Sequence, residues 1–378
     1  MLNLIGETMK MYDIVVAGHI CLDLCPAFET NQPQDLSTLF RPGRLINMDG
    51  VTISTGGAVS NTGFALSKMG LRVLPAAKIG DDPFGVLIAD IAEKETGSRI
   101  TMQRGVRSSY SIVLSPPGID RIILHDPAGN NDFSADDIDY SAVAQAGFFH
   151  YGYPPVMRRI YQDGGNELER LFASAKEAGA VTSMDMSLPD AESESGRVDW
   201  ASVLARVLPY VDLFMPSAEE ALYMLDRPEY ERVAHGGALN FSAIRALGKK
   251  ILGMGAKLAL IKCGIHGIYI KTSPLMSGSF RSKEIFQPSY VASHFKSALG
   301  SGDTAIAGFV AAMVNGHSLI DCARIACASG ALCCTTYDAI SAIRPIEEII
   351  RMISGPLNNT TLPDTHLHYD ERERIYTI

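Results

Sequence analysis

The sequence predicts an α/β protein built on a mostly parallel sheet with helices on both faces. Two observations carry this. Short apolar runs of the buried-strand type recur along the chain, and helical patterns lie between them. In addition, 378 residues with 47% apolar and 20% charged side chains allow a large core in a single α/β unit.

The elements follow in order. Residues 13–18, DIVVAG, form a first strand that ends in glycine. Residues from about 24 to 54 break the rhythm with Pro, Gly and short mixed runs. Residues 56–70, GGAVSNTGFALSKMG, open with Gly56 and Gly57, which permit close backbone approach to a ligand. A helix continues from them, with Val59, Thr62, Leu66 and Met69 on one face and Gly70 as its stop. A strand is expected at 73–79. Residues 109–126, SYSIVLSPPGIDRIILHD, read as two strands around a Pro-Pro-Gly turn. Together with the earlier irregular segment they predict a small sheet standing off the body. Periodicity leaves two readings of it open, a lid or dimer clasp and an ordinary surface hairpin. Further strands are expected at 148–152, 181–185, 211–215 and 258–263. A helix at 167–178, ELERLFASAKEA, closes at Gly179. The polar residues 356–378 read as a peripheral C-terminal tail.

The net charge of −9 argues against nucleic acid or an anionic membrane as the main partner. It leaves room for an anionic small ligand, which needs only local donors. No apolar run is long enough to span a bilayer, and the first residues lack a secretory pattern, so a cytoplasmic protein is expected. The seven cysteines are odd in number and contain no CxxC pair, which predicts reduced, buried thiols.

The chemistry concentrates at 297–309, SALGSGDTAIAGF. Ile306, Phe309, Val310 and Met313 mark one buried helix face, and Asn315-Gly316 marks its end. Gly300, Ser301 and Gly302 therefore sit at a helix N-terminus. Free N–H groups there can meet phosphate oxygens or charge developing on a phosphoryl group. Asp303 follows in the first turn. It reads either as an acid in a favoured position or as a catalytic base. The stretch 300–305 also fits the dinucleotide fingerprint G-x-G-x-x-G/A, but no buried strand precedes it. Asp321, the required acid, instead belongs to a helix start, SLID. No P-loop motif occurs.

Two weaker candidates lie near the N-terminus. Asn61, in the first turns of its helix, presents an amide to a hydroxyl or acts as a cap. Asp23, in GHICLD, follows the first strand where ligands of open sheets gather, and either accepts hydroxyl hydrogens or shapes a turn.

The order and spacing of these motifs, with KIGDDPFG at 78–85, resemble the PfkB carbohydrate kinases, the ribokinase-like family, from about residue 12 to about residue 350. The resemblance implies a ribokinase-like three-layer α/β sandwich over residues 10–355, with a mostly parallel central sheet flanked by helices. Segments of about 24–54 and 106–127 would form a small β-sheet lid. It implies transfer of the γ-phosphate of ATP to a hydroxyl of a sugar or sugar-like acceptor. Asp303 would be the base, and Gly300, Ser301 and Gly302 the anion hole. Asp23, Gly56, Gly57 and Asn61 would hold the acceptor. An aspartate that ionises near pH ~4 can take up a proton at neutral pH, and phosphoryl transfer rests mainly on positioning and charge stabilisation.

On the nucleotide side, the resemblance matches Ser217 and Glu220 to an N-x-x-E motif tied to Mg2+, with Ser217 in place of Asn. The same pair reads locally as an N-cap and a solvated helix-start acid. Gly264 and Gly267, in IKCGIHG, would let ATP approach, and Lys262 reads as a phosphate ligand or as an exposed strand lysine. Ser297 and Ala298 stand where the family often has Asp-Thr, so activation by a monovalent cation is not expected. The resemblance also implies a homodimer formed through the lid. For the acceptor, Asn130, Asn131, Arg104, Arg107 and Arg121 are candidates, and HYGYP at 150–154 and DMSLPD at 185–190 end strands on the ligand side. The alternative, suggested by Ser217 and Ser297, is a non-catalytic sugar- or nucleoside-binding sensor that keeps the fold.

Overall fold

A computed structural model describes residues 10–29, 35–119, 122–354, 359 and 367–377. Among these, the chain forms β1 (Tyr12–Gly18), β2 (Cys21–Phe28), β3 (Met48–Gly56), β4 (Val73–Ala76), β5 (Ile79–Gly80), β6 (Met102–Gln103), β7 (Tyr110–Leu114) and β8 (Ile122–Asp126). It continues through β9 (Ala146–Gly152), β10 (Val181–Met184), β11 (Leu213–Phe214), β12 (Leu258–Lys262), β13 (Gly267–Thr272), β14 (Glu284–Pro288), β15 (His368–Asp370) and β16 (Ile375–Thr377).

The main sheet has the order β15-β16-β14-β13-β12-β11-β10-β9-β1-β4. From β4 to β12 the strands run parallel, and from β12 to β15 they run antiparallel. Side chains of successive strand residues point to opposite faces. Val15 and Ala17 thus enter one core while Ile14 and Val16 enter the other. The first core takes Leu168, Leu171 and Phe172 from the helix Asn166–Glu177. The second takes Ile306, Phe309 and Val310 from the helix Ser301–Val314. Each of these fully buried side chains contributes about 1.5–3 kcal/mol. Helices on both faces of one sheet make the predicted three layers.

The separate four-stranded sheet has the order β3-β2-β7-β8 and consists of the two segments expected to stand off the body. Its register places Ser54, Asp23, Ser111 and His125 side by side across the four strands. Residues in one such row share a face, so the sheet carries a polar stripe.

Two expectations are corrected. The strand expected at 73–79 stops at Ala76, and Ile79–Gly80 pairs instead with Met102–Gln103. The C-terminal residues are not a peripheral tail where the structure describes them. β16 pairs with β14, and Ile375 is fully buried against the second core. One apolar residue at the right register outweighs the polarity around it. Most of residues 356–366, like Arg121, lies outside the described residues.

Candidate active site

The chain runs from β1 outward to β4, then returns to β9 on the other side of β1. Ligands of open α/β sheets bind beyond the carboxyl ends of the strands at such a reversal. Gly18 and Gly152 end β1 and β9 there. Gly57, at φ 91°, caps the helix Ala58–Lys68 beside them. A Cβ at Gly57 would lie 2.5 Å from the His19 carbonyl oxygen and 2.4 Å from His19 Nδ1. Only glycine allows the two segments to close together.

Gly300 caps the helix Ser301–Val314 in the left-handed region, at φ 73°, with no side-chain cap. The Ser301 amide donates to the Ala298 carbonyl at 3.2 Å, and Thr304 donates to the Gly300 carbonyl at 2.9 Å. The amides of Gly302 and Asp303 remain as first-turn donors without an intrahelical acceptor. The 300–303 turn lines a cavity of about 680 Å³ together with Gly264, Gly267, Ser217 and Glu220. Its other walls are largely apolar, among them Ile268, Val291, Phe295 and Ala326.

Asp303 is buried and held by three donors. Asn61 Nδ2 donates to Oδ2 at 3.0 Å, Thr62 Oγ1 donates to Oδ1 at 3.4 Å, and the Tyr153 hydroxyl lies 2.8 Å from both oxygens. The helix beginning at Ala58 thus touches the helix beginning at Ser301 through its first-turn amide. Burial pushes the Asp303 carboxyl up, while Lys262 and these donors oppose the rise.

Lys262 ends β12. It is not the exposed strand lysine that one reading allowed. Only 11% of its side chain is exposed, and Nζ pairs with Asp185 Oδ1 at 2.6 Å. It also runs past Gly302, where an added Cβ would lie 3.6 Å from Nζ. Burial lowers the lysine's affinity for its proton, but Asp185 and Glu220 more than restore it, so the ammonium stays charged. Asp185 is itself raised by burial, partly offset by Lys262. Glu220 is likewise raised by burial.

Ser217 is the N-cap that the local reading gave, but Glu220 is not the solvated helix-start acid of that reading, since it is largely buried. Glu220 Oε2 accepts from the Ser217 amide at 2.6 Å and Ser217 Oγ accepts from the Glu220 amide at 3.2 Å, forming a capping box. A bridge between Ser217 and Lys262 sets this helix start beside the lysine.

Asp23 lies on β2 of the small sheet rather than at the end of β1, paired with Ser54, and its carboxylate lies against Gly56, where a Cβ would come within 2.3 Å of Oδ2. His19, in the β1–β2 corner, is buried, and its ring lies 6.2 Å from that of Tyr153. Asn130 does not reach toward a ligand. It is fully buried and donates to the Ile20 carbonyl at 2.8 Å, bracing the β1–β2 corner. Asn131 accepts from the Arg158 amide at 3.2 Å, and Arg107 pairs with Asp126 at 3.2 Å. Asp321 belongs to the cap of the helix Leu319–Cys333, where Ser318 Oγ accepts from its amide at 3.2 Å.

Tyr153, Asp185 and His19 were not selected as site residues by sequence. The first two lay in segments expected to end strands on the ligand side. Their type added no signal, since both are common in turns and cores.

A crevice at the strand reversal, a free helix N-terminus and a carboxylate between them define a phosphotransferase of the α/β class. The chain belongs to the pfkB family of carbohydrate kinases, whose family model matches residues 11–346. It is therefore a sugar phosphotransferase. Among its relatives is a 5-dehydro-2-deoxygluconokinase of Bacillus subtilis, 21% identical over 92% of this chain and 97% of that one. A probable fructokinase-4 of Arabidopsis thaliana is 23% identical over 82% of this chain and 91% of that protein. In fold it is similar to the Arabidopsis thaliana ribokinase complexed with ribose and ATP. The TM-score is 0.70 and identity 19%, over 91% of this chain and 99% of that one. A nucleoside kinase of Methanocaldococcus jannaschii also matches, with TM-score 0.62 and 15% identity over 92% and 99% of the two chains.

Proposed function

We propose that this protein is an ATP-dependent sugar kinase that moves the γ-phosphoryl group to a hydroxyl of a sugar or sugar-like acceptor, with Asp303 as general base. The observation that supports it best is the place of Asp303. It lies one residue beyond a glycine turn that lines one cavity, and it is tied by Asn61 to the strand-reversal crevice. The acceptor would occupy that crevice, between Asp23, Gly56, Gly57 and Asn61. ATP would occupy the cavity with its phosphates toward residues 300–302 and Lys262, and with Gly264 and Gly267 along its side.

In this reading Asp303 takes the hydroxyl proton as the oxygen attacks. The amides of the anion hole and the Lys262 ammonium stabilise charge on the transferring group. The residues present also suit Mg2+. Asp185, Glu220 and Asp303 all act electrostatically on one ammonium, so the acids outnumber the cation, and carboxylate oxygens are the ligands this hard ion prefers. Glu220, with Asp185, would hold it near the phosphates, where it supplies charge neutralisation. The small sheet would close over the acceptor. Val51, Ile53, Ile123 and Leu124 on that sheet are exposed apolar residues suited to a homodimer contact.

An ADP-release screen over free sugars, sugar phosphates and nucleosides, with and without K+, tests this reading. Turnover on a free sugar is expected, with no K+ requirement given Ser297 and Ala298. Tight sugar binding with no ADP formed across the panel would favour the sensor instead.

A further inference from the structure

Beside the proposed acceptor crevice, three potential metal ligands converge at the joint between the small sheet and the main body. His19 comes from the β1–β2 corner, Cys21 from the start of β2 and His125 from the edge strand β8. Their ligand atoms all lie within 4.8 Å of one another. The two imidazoles meet nitrogen to nitrogen, with His19 Nε2 3.4 Å from His125 Nε2.

That contact is long for a hydrogen bond between rings, but it matches another geometry. Tetrahedral Zn2+ with Zn–N bonds of about 2.0–2.1 Å places two nitrogen ligands about 3.4 Å apart. The ring orientation agrees. His125 Nδ1 lies 3.1 Å from Ser111 Oγ, the outer hydrogen bond that commonly orients a metal-binding histidine with its other nitrogen free. The buried His19 ring has no partner for Nδ1, so no competing hydrogen bond fixes its tautomer. Cys21 Sγ lies 3.2 Å from Asp23 Oδ1 and 3.6 Å from Ser111 Oγ. A carboxylate is therefore at hand to balance the charge of a bound cation. No part of the proposed phosphoryl transfer uses His19, Cys21 or His125.

We propose that His19, Cys21 and His125 form a site for the borderline-soft divalent cation Zn2+, with a fourth position open toward Asp23. Binding replaces the Cys21 thiol proton, which leaves to solvent, by the metal. The bound ion ties strand β8 to the β1–β2 corner and so holds the small sheet against the acceptor crevice. Nitrogen and sulfur donors separate this site from the all-oxygen set at Glu220 and Asp185, so Mg2+ is not expected to compete for it.

Equilibrium dialysis of the full-length protein against Zn2+ in excess Mg2+ tests this without reference to turnover, so its outcome is separate from that of the kinase reading. One Zn2+ per chain is expected, and His125→Ala should weaken binding about 100-fold or more. His125 is exposed on an edge strand, so that variant should fold. Co2+ in place of Zn2+ should show the thiolate-to-metal absorption of a cysteine ligand, lost in Cys21→Ser. Wild-type Zn2+ affinity in His125→Ala, or a Co2+ spectrum without a thiolate band, would overturn the proposal.

Discussion

The Tyr153 hydroxyl lies 2.8 Å from each carboxylate oxygen of Asp303. In the proposed mechanism a substrate hydroxyl would address the same acid. Tyr153 holds it from the left-handed region, at φ 67°, an uncommon backbone state for a bulky residue. Strain of this kind persists where the surroundings over-determine it. In the proposed mechanism the phenol would shield Asp303 from water. Tyr153→Phe should raise acceptor-independent ATP hydrolysis relative to sugar-dependent turnover. ADP release with and without acceptor measures that ratio, and an unchanged ratio would remove the shielding role.

Asp303→Asn keeps the shape of the site and removes the proposed proton acceptor. General base catalysis is typically worth about 10²–10⁴-fold, so kcat should fall by that order. ATP affinity, read by calorimetry, should stay near the wild-type value. Undiminished kcat would exclude Asp303 as the base.

Lys262 is the cation that faces Asp185, Glu220 and Asp303. Removing one partner of a buried pair leaves the other charge uncompensated and costs about 3–5 kcal/mol. Lys262→Met should lower stability by that order in urea unfolding without ligand. Adding Asp185→Asn should recover part of the loss, because the unpaired acid is then gone. A strictly additive double variant would show that the two residues do not interact.

Asp212, far from this site, should carry part of the acid sensitivity of the fold. Burial raises its carboxyl, but Lys176, Lys257 and the Thr182 amide outweigh that and hold it below the ordinary value. Lys257 lies 2.9 Å away and the Thr182 amide 3.0 Å. A carboxyl depressed by folding contributes stability above its unfolded pKa of about 3.9 and loses it as pH falls through the folded value. Urea midpoints should therefore drop below about pH 4, and Asp212→Asn should flatten that part of the profile. An equally steep acid limb in the variant would assign the effect to other groups.

Much of this protein was legible from local pattern alone. Apolar runs and intervening amphipathic stretches were enough for the layered fold, because burial on both faces of a parallel strand dictates its composition. Gly57 and Gly300 were legible because each occupies a left-handed backbone state that other residues rarely adopt. Asp303 was legible because it adjoins such a turn at a helix start. Tertiary structure alone decided which groups act on Asp303. Tyr153 is 150 positions away in sequence and Asn61 is 242, and nothing local in either segment points to Asp303. The same holds for Lys262, whose exposure on a strand end was undecided until Asp185 closed over it. The last strand shows the limit most simply. Ile375 sits in a polar stretch, and only pairing with β14 gives it a core to enter. Periodicity reports what a segment buries against its own neighbours. Where a side chain meets a distant one, the energy comes from a contact that only the folded chain creates.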